Sequence, residues 1–358
     1  MTYRFMTKYM GYREEELRIL ESLASEEERR DFNRSHPHRL NFEVVIETIL
    51  SFLLKTLQSQ KGKPTDEIKH YAQLELQMLT TKLLAINVLL KKWGGYNIEK
   101  DITLNPIVDP VVLGGLARNI YETLSVFRFV YLLPDDDEKK RIAFNLWKRH
   151  SFLDSIKELE PTILLNEKKD YDASKLREQL QFAIAQRDQL LAEIQATTYA
   201  KNHTEINFGK DNAKKSLIIL DDHPKFVSLS RIDKEMEYYM PLKNVVFNNL
   251  YSLLSHYAHP SYQAEDQFDN EFRGEGNNSE GPYHMIVSAA AILSVCFISS
   301  YIVYDNAIQS ELNDEELEVF NAVYTSFCIG EFGKEPSEEE YKQERAEIEM
   351  IRTILKLN

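Results

Sequence analysis

Apolar residues recur along this chain mainly at three- and four-residue spacing, the period of a helix with one buried face. Residues 41–58 place Val44, Val45, Ile49, Phe52, Leu53 and Leu57 on such a stripe, with Asn41 as the expected N-cap. A short loop leads into a long helix expected over 65–93. Its dense apolar run (Leu74, Leu76, Leu79, Leu83, Leu84, Ile86, Leu89, Leu90) predicts burial on a broad face, and Gly94 and Gly95 mark its end. Residues 96–110 read as a loop holding Pro106 and Pro110. Asp109–Pro110 then predicts an N-cap followed by proline at the first helical position. The helix that follows, VVLGGLARNIYETLSVFRFVYLL, is apolar nearly all round and is therefore expected at the centre.

Pro134 and the trio Asp135, Asp136 and Asp137 open another helix, expected to run to about residue 159, with the acidic residues suited to the positive end of its dipole. In 172–198, Leu176, Leu180, Ile184, Leu191 and Ile194 form a narrow seam between charged flanks. That pattern predicts an arm packed in a hairpin or against a partner, either another protein or a second copy of the chain. Residues 204–230 are the least helical, and either a small hairpin or an irregular excursion fits them. Residues 244–260, NVVFNNLYSLLSHYAHP, read as a helix bounded by Pro241 and Pro260. Asn248, Ser252, Ser255 and His259 line one of its faces, while Val245, Leu250, Leu253 and Leu254 carry the apolar load.

Residues 261–282 are polar, acidic and glycine-containing, fitting a solvated segment or a cover over a site beside His259. Residues 283–308 are the most apolar and long enough to raise a membrane-spanning reading. Four serines along the run and the absence of flanking Lys or Arg favour a core helix, so no membrane association is expected. Further helices are expected from Asn313 and from Pro336, and a charged surface helix over 13–32. The sum is an all-α, multi-helix bundle with a peripheral helical hairpin. We divide it into an N-terminal helical region (1–100), a helical core with a candidate site (101–309) and acidic C-terminal helices (310–358).

Charge sharpens this picture. The net charge of −14 is not spread evenly: residues 1–260 carry 37 acidic and 37 basic side chains, and the rest carry 20 and 6. A neutral body with an acidic C-terminal part leaves room for a local basic groove facing nucleic acid. Cys296 and Cys328 lie in apolar surroundings and form no C-x-x-C pair, as expected of reduced core residues in a cytoplasmic protein. No glycine-rich phosphate loop, H-E-x-x-H, G-x-S-x-G or Cys/His zinc pattern occurs, which argues against the common NTPases, zinc proteases and α/β-hydrolases.

The candidate chemistry lies on two helices. Arg118 and Glu122 are four apart and share a face of an otherwise apolar helix, where a charged pair is costly to bury unless partnered. One reading is a self-satisfied ion pair that orients helices. The other places Arg118, Glu122, Ser255 and His259 around a shared polar pocket, as helical bundles build sites. There His259 would act as general acid or base, Arg118 would hold a phosphate or carboxylate, and Glu122 would orient the imidazole. Asn248, Tyr251 and Tyr121 are the expected ligand contacts. His256 and His259 are three apart, but spacing supplies no third metal ligand, so neither a metal nor a cofactor is expected.

The pair LARNIYETLSVFRFVYLL and YSLLSHYAHPSY resembles a family of bacterial all-helical proteins of unknown function, with an Arg-x-x-x-Glu helix and a later Tyr-x-x-x-Ser-x-x-x-His helix. That family is similar to the HEPN superfamily (higher eukaryotes and prokaryotes nucleotide-binding). The resemblance covers roughly residues 109–308 and reaches Arg118, Glu122, Tyr251, Ser255 and His259. It implies a HEPN-like core and a nucleotide- or RNA-directed protein, such as a metal-independent ribonuclease or an effector in stress or phage defence. The nuclease hallmark, Arg then four to six intervening residues then His, is absent from both core helices; Arg30 to His36 carries it near Pro37. The alternative is a non-catalytic helical scaffold or partner-binding protein, with contacts carried by the 172–198 arm and the acidic C-terminal part.

Overall fold

The computed structural model describes residues 42–63, 65–91, 96–99, 102–104, 109–209, 217–220, 224–227, 250–258, 265, 280–317, 319–320 and 323. The chain is all-α in class, with two two-stranded hairpins as its described sheets. The expected helices over 13–32 and from Pro336, the Arg30–His36 spacing, Cys328 and most of 261–282 lie outside the described residues. So do Asn248 and His259.

In chain order the helices are α1 (Phe42–Gln60), α2 (Glu67–Leu90), α3 (Pro110–Phe127), α4 (Asp137–Lys168), α5 (Ser174–Ala196), α6 (Thr198–Asn202), α7 (Leu250–Ala258) and α8 (Glu280–Tyr304). A π-helical turn, Arg128–Leu132, continues α3, and a 3-10 turn, Asn306–Glu311, follows α8. The described residues divide into two compact units. One takes in those up to residue 65, between 73 and 124 and beyond 236, the other those in 66–72 and 125–235.

The first unit is centred on α8. Its residues from Ile286 to Ile302 are buried on every side, which is compatible with the reading of this segment as a core helix. Residues 285–304 are long and apolar enough to cross a membrane, yet 94% of that window is buried inside the protein. Two of its four serines bond their own helix: Ser294 Oγ donates to the Ala290 carbonyl at 2.6 Å and Ser299 Oγ to the Val295 carbonyl at 2.9 Å. α8 packs against α1, whose Val45, Ile49, Phe52 and Leu53 are buried, and Leu76, Leu79, Leu83 and Ile86 of α2 are buried as well. Phe52 meets Phe320 edge to face at 5.9 Å. Asn313 and Glu316 cap the following helix reciprocally, each side chain accepting from the other's amide at 2.9 Å.

The start of α3 follows its sequence signal, since Asp109 Oδ1 accepts from the Val111 amide at 2.8 Å just before Pro110. Residues 96–110, expected as a loop, instead hold an antiparallel hairpin of β1 (Tyr96–Glu99) and β2 (Ile102–Leu104). Tyr96 pairs with Leu104, and the register is irregular between Asn97 and Glu99. Strands this short offer too few alternating positions for periodicity to reveal them.

The second unit is built on the α4–α5 hairpin. Of the two readings of residues 172–198, the hairpin is the observed one: Ile156 and Ile163 of α4 and Ala183, Leu190 and Ile194 of α5 are its buried seam residues. α4 runs to Lys168 rather than stopping near residue 159, because its buried positions continue past Pro161, which faces solvent. At the base, Ile142, Leu146, Ile194, Tyr199, Phe208, Ile218 and Leu220 form one apolar cluster. Ile218 belongs to β3 (Leu217–Ile219), which pairs antiparallel with β4 (Lys225–Val227), so within 204–230 a small hairpin is present. Asp136 caps α4 by accepting from the Lys139 amide at 2.7 Å. Asp136→Ala is expected to lower the unfolding free energy of this unit by about 1 kcal/mol, read from denaturant titration.

Candidate functional site

The candidate site is built by residues of α2, α3 and α7 that belong to the first unit. α3 brings Gly114, Arg118 and Tyr121 to one face by their spacing of four and three. α7 lies against that face at Gly114. A methyl group there would collide with Cβ of Tyr257 and stand 3.1 Å from the Tyr257 carbonyl carbon. One helical turn on, Arg118 meets Tyr251. As the contacts advance along α3 from 114 to 118, they step back along α7 from 257 to 251, so the two helices run antiparallel.

Arg118 is held from two sides. Its Nε donates to Glu122 Oε1 at 3.1 Å and its Nη2 donates to the Tyr251 hydroxyl at 3.0 Å. The guanidinium carbon also stands 5.2 Å from the centre of the Tyr251 ring. The Arg118 side chain is 23% exposed and that of Glu122 34%, so the pair reaches solvent while its lower part is covered. Tyr121 packs against Tyr251 with ring centres 5.4 Å apart and is itself fully buried. Its expected role as a direct ligand contact therefore gives way to that of a support behind Tyr251.

The remaining sequence candidates divide. Ser255 Oγ donates to the Tyr251 carbonyl at 2.6 Å, its only hydrogen bond among the described residues, so the hydroxyl is engaged with its own helix. Ser252 and His256 are exposed. His259 and Asn248 fall outside the described residues, and Glu122 is found holding Arg118. Among the described residues, no group of three His, Cys, Asp or Glu side chains is placed to hold a metal ion.

α2 contributes two charges that the sequence reading missed. Glu75 and Lys82 are seven apart and so share a face, which lies on the inward side of the helix. Glu75 is 5% exposed. Burial pushes its carboxyl up to about 7, against the opposing pull of Lys82. Lys82 Nζ donates to Thr123 Oγ1 of α3 at 2.5 Å, and Thr123 Oγ1 in turn donates to the Asn119 carbonyl at 2.8 Å. Burial also holds the Lys82 ammonium below its usual value, with Glu75 and Glu122 pulling the other way. Each partner's charged form is thus disfavoured, so their mutual attraction falls short of what burial costs them. The signal available in sequence was a carboxylate flanked by Leu74 and Leu76 in the densest apolar run of α2.

Residues 114–276 match the profile of a Family of unknown function (DUF5677). The matched segment contains Arg118, Tyr121, Glu122, Tyr251, Ser255 and His259, and leaves out α2 with Glu75 and Lys82. Neither a curated protein nor a solved structure matches the chain.

Proposed function

We propose that this chain is a nucleotide- or RNA-directed protein of the HEPN-like type, acting through an anion site centred on Arg118. The supporting observation is the guanidinium itself, fixed between Glu122 and Tyr251 yet partly open to solvent. A phosphate reaching it meets a cation already held in place, so little side-chain freedom is lost on binding. In this reading Tyr251 offers its ring and hydroxyl beside the phosphate, and His259 is the general acid or base of metal-independent RNA cleavage. Ser255 and Asn248 complete the set. A role as a ribonuclease or effector in stress or phage defence follows from the same reading.

One observation favours a second reading, a non-catalytic helical scaffold. Arg118, Glu122 and Tyr251 satisfy one another, and Ser255 is engaged by its backbone. The α4–α5 arm would then carry partner contacts, to another protein or to a second copy.

Arg118→Gln separates the two. Binding of ATP and of a short single-stranded RNA, RNA cleavage and thermal unfolding are measured for wild type and variant. The site reading expects the loss of about tenfold or more in RNA or ATP affinity, as for a charged hydrogen-bonding group, with little change in unfolding. Wild type that neither binds nor cleaves either probe, with the variant unfolding at lower temperature, establishes the scaffold instead.

A further inference from the structure

We infer that Val112, Gly115 and Asn119 of α3 form a base-reading subsite beside Arg118, and that the ligand taken there is an adenine nucleotide, free or within single-stranded RNA. This inference rests on the anion-binding reading above and names the substrate class of that site.

A glycine inside a helix costs stability relative to alanine, because it gives up more backbone freedom on folding. Two needs within a chain ordinarily account for one. Backbone conformation is not the need at Gly115, which lies within α3, whereas the glycine at positive φ among the described residues is Gly62. Packing is not the need either. Gly114 is pressed against Tyr257, but a methyl group at Gly115 meets no atom within 4 Å. What remains is the close approach of another molecule to the helix backbone, which glycine permits.

The surroundings define that molecule. Val112, Gly115 and Asn119 follow at spacings of three and four, so they share one face of α3, and Arg118 neighbours Gly115 three residues on. Val112 is 46% exposed and borders the gap with an apolar side chain. Asn119 borders the other end. It is exposed, its Cα–Cβ bond tilts back toward the turn that holds Gly115, and its amide makes no hydrogen bond among the described residues. A flat ring fits here, with its face on the glycine backbone and Val112 and its edge at the Asn119 amide. A phosphate on the same molecule then meets the Arg118 guanidinium, which Glu122 and Tyr251 hold in place.

The amide selects the base. It offers one kind of donor and one acceptor side by side. Adenine presents its N6 amino donor beside its N7 acceptor, so both bonds form. Guanine presents two acceptors, O6 and N7, on the same edge, and one of them would face the amide carbonyl.

The test is equilibrium binding of ATP, GTP, a short oligo(A) RNA and its inosine counterpart, whose base carries the two-acceptor edge of guanine. Thermal unfolding and molar mass are measured on the same samples. Wild type is expected to bind the adenine member of a pair about tenfold more tightly, the size of one bidentate contact. A preference between the triphosphates identifies the free nucleotide as ligand, and one confined to the RNAs identifies RNA. Gly115→Leu fills the gap and is expected to lose about tenfold in affinity for the adenine ligand, while its unfolding temperature holds or rises. Asn119→Ala is expected to bind both members of each pair alike. Arg118→Gln is expected to weaken all four probes and to keep the adenine preference. Binding that Arg118→Gln weakens but Gly115→Leu and Asn119→Ala leave unchanged overturns this inference and leaves the Arg118 reading standing. Gly115→Leu that lowers the molar mass while affinities hold assigns the gap to a second copy of the chain and overturns it likewise. Wild type that binds none of the probes overturns both.

Discussion

Replacing Gly114 with alanine is expected to destabilise the first unit by about 3 kcal/mol, at the upper end of what overpacking costs. Two effects oppose each other. Alanine favours the helix by about 0.5–1 kcal/mol, because glycine loses more backbone freedom on folding. Against this, the added methyl meets Cβ, the carbonyl carbon and Cα of Tyr257. None of these is the far end of a flexible side chain, so no rotamer change relieves the clash, and α3 and α7 must separate. Separation also strips the Tyr121–Tyr251 packing and the Arg118–Tyr251 bond, so ligand binding should fall with stability. Gly115 is the control one residue on, since a methyl there meets no atom within 4 Å. Gly115→Ala is expected to gain about 0.5–1 kcal/mol. Urea titrations of both variants check the pair, and equal effects at the two glycines would refute the close crossing.

Glu75→Gln is expected to stabilise the protein by about 3 kcal/mol at pH 8 and to change little at pH 4. The folded carboxyl holds its proton up to about 7, against an ordinary value of 4.5. Between those two points the folded state binds more protons than the unfolded one, so wild-type stability falls as pH rises. Below 4.5 both states are protonated and the stabilisation is complete. Above about 7 both are ionised and it is lost. Glutamine keeps the shape without the charge, so its stability should be flat across this window. Denaturant midpoints at pH 4, 6 and 8 read the effect, and parallel curves for wild type and variant would refute it.

Much of the fold was legible because its signals are local. Asp109–Pro110 wrote the start of α3, Asp136 that of α4, and the apolar run from Ile286 to Ile302 fixed a helix buried all round. The same-face spacing of Arg118 and Glu122 gave half of the candidate site. What it could not give was the partner across the gap. Tyr251 meets Arg118 because α7 runs antiparallel to α3, and that direction is set by a contact between residues far apart in sequence. Glu75 escaped because a glutamate in a helix is ordinarily on the wet side, and its burial is decided by packing around α2. The hairpin 96–104 was too short to show a period, and α4 outran its expected end near residue 159 because Pro161 faces solvent and is tolerated there.

That last feature has a consequence for the arm. Proline carries no amide proton, so position 161 gives none to the Lys157 carbonyl one turn back. Both residues lie on the outer side of α4, where water supplies the missing bond. Anything that docked dry along that side would have to leave the Lys157 oxygen without a donor. The outer side of the arm is thereby kept hydrated at this turn.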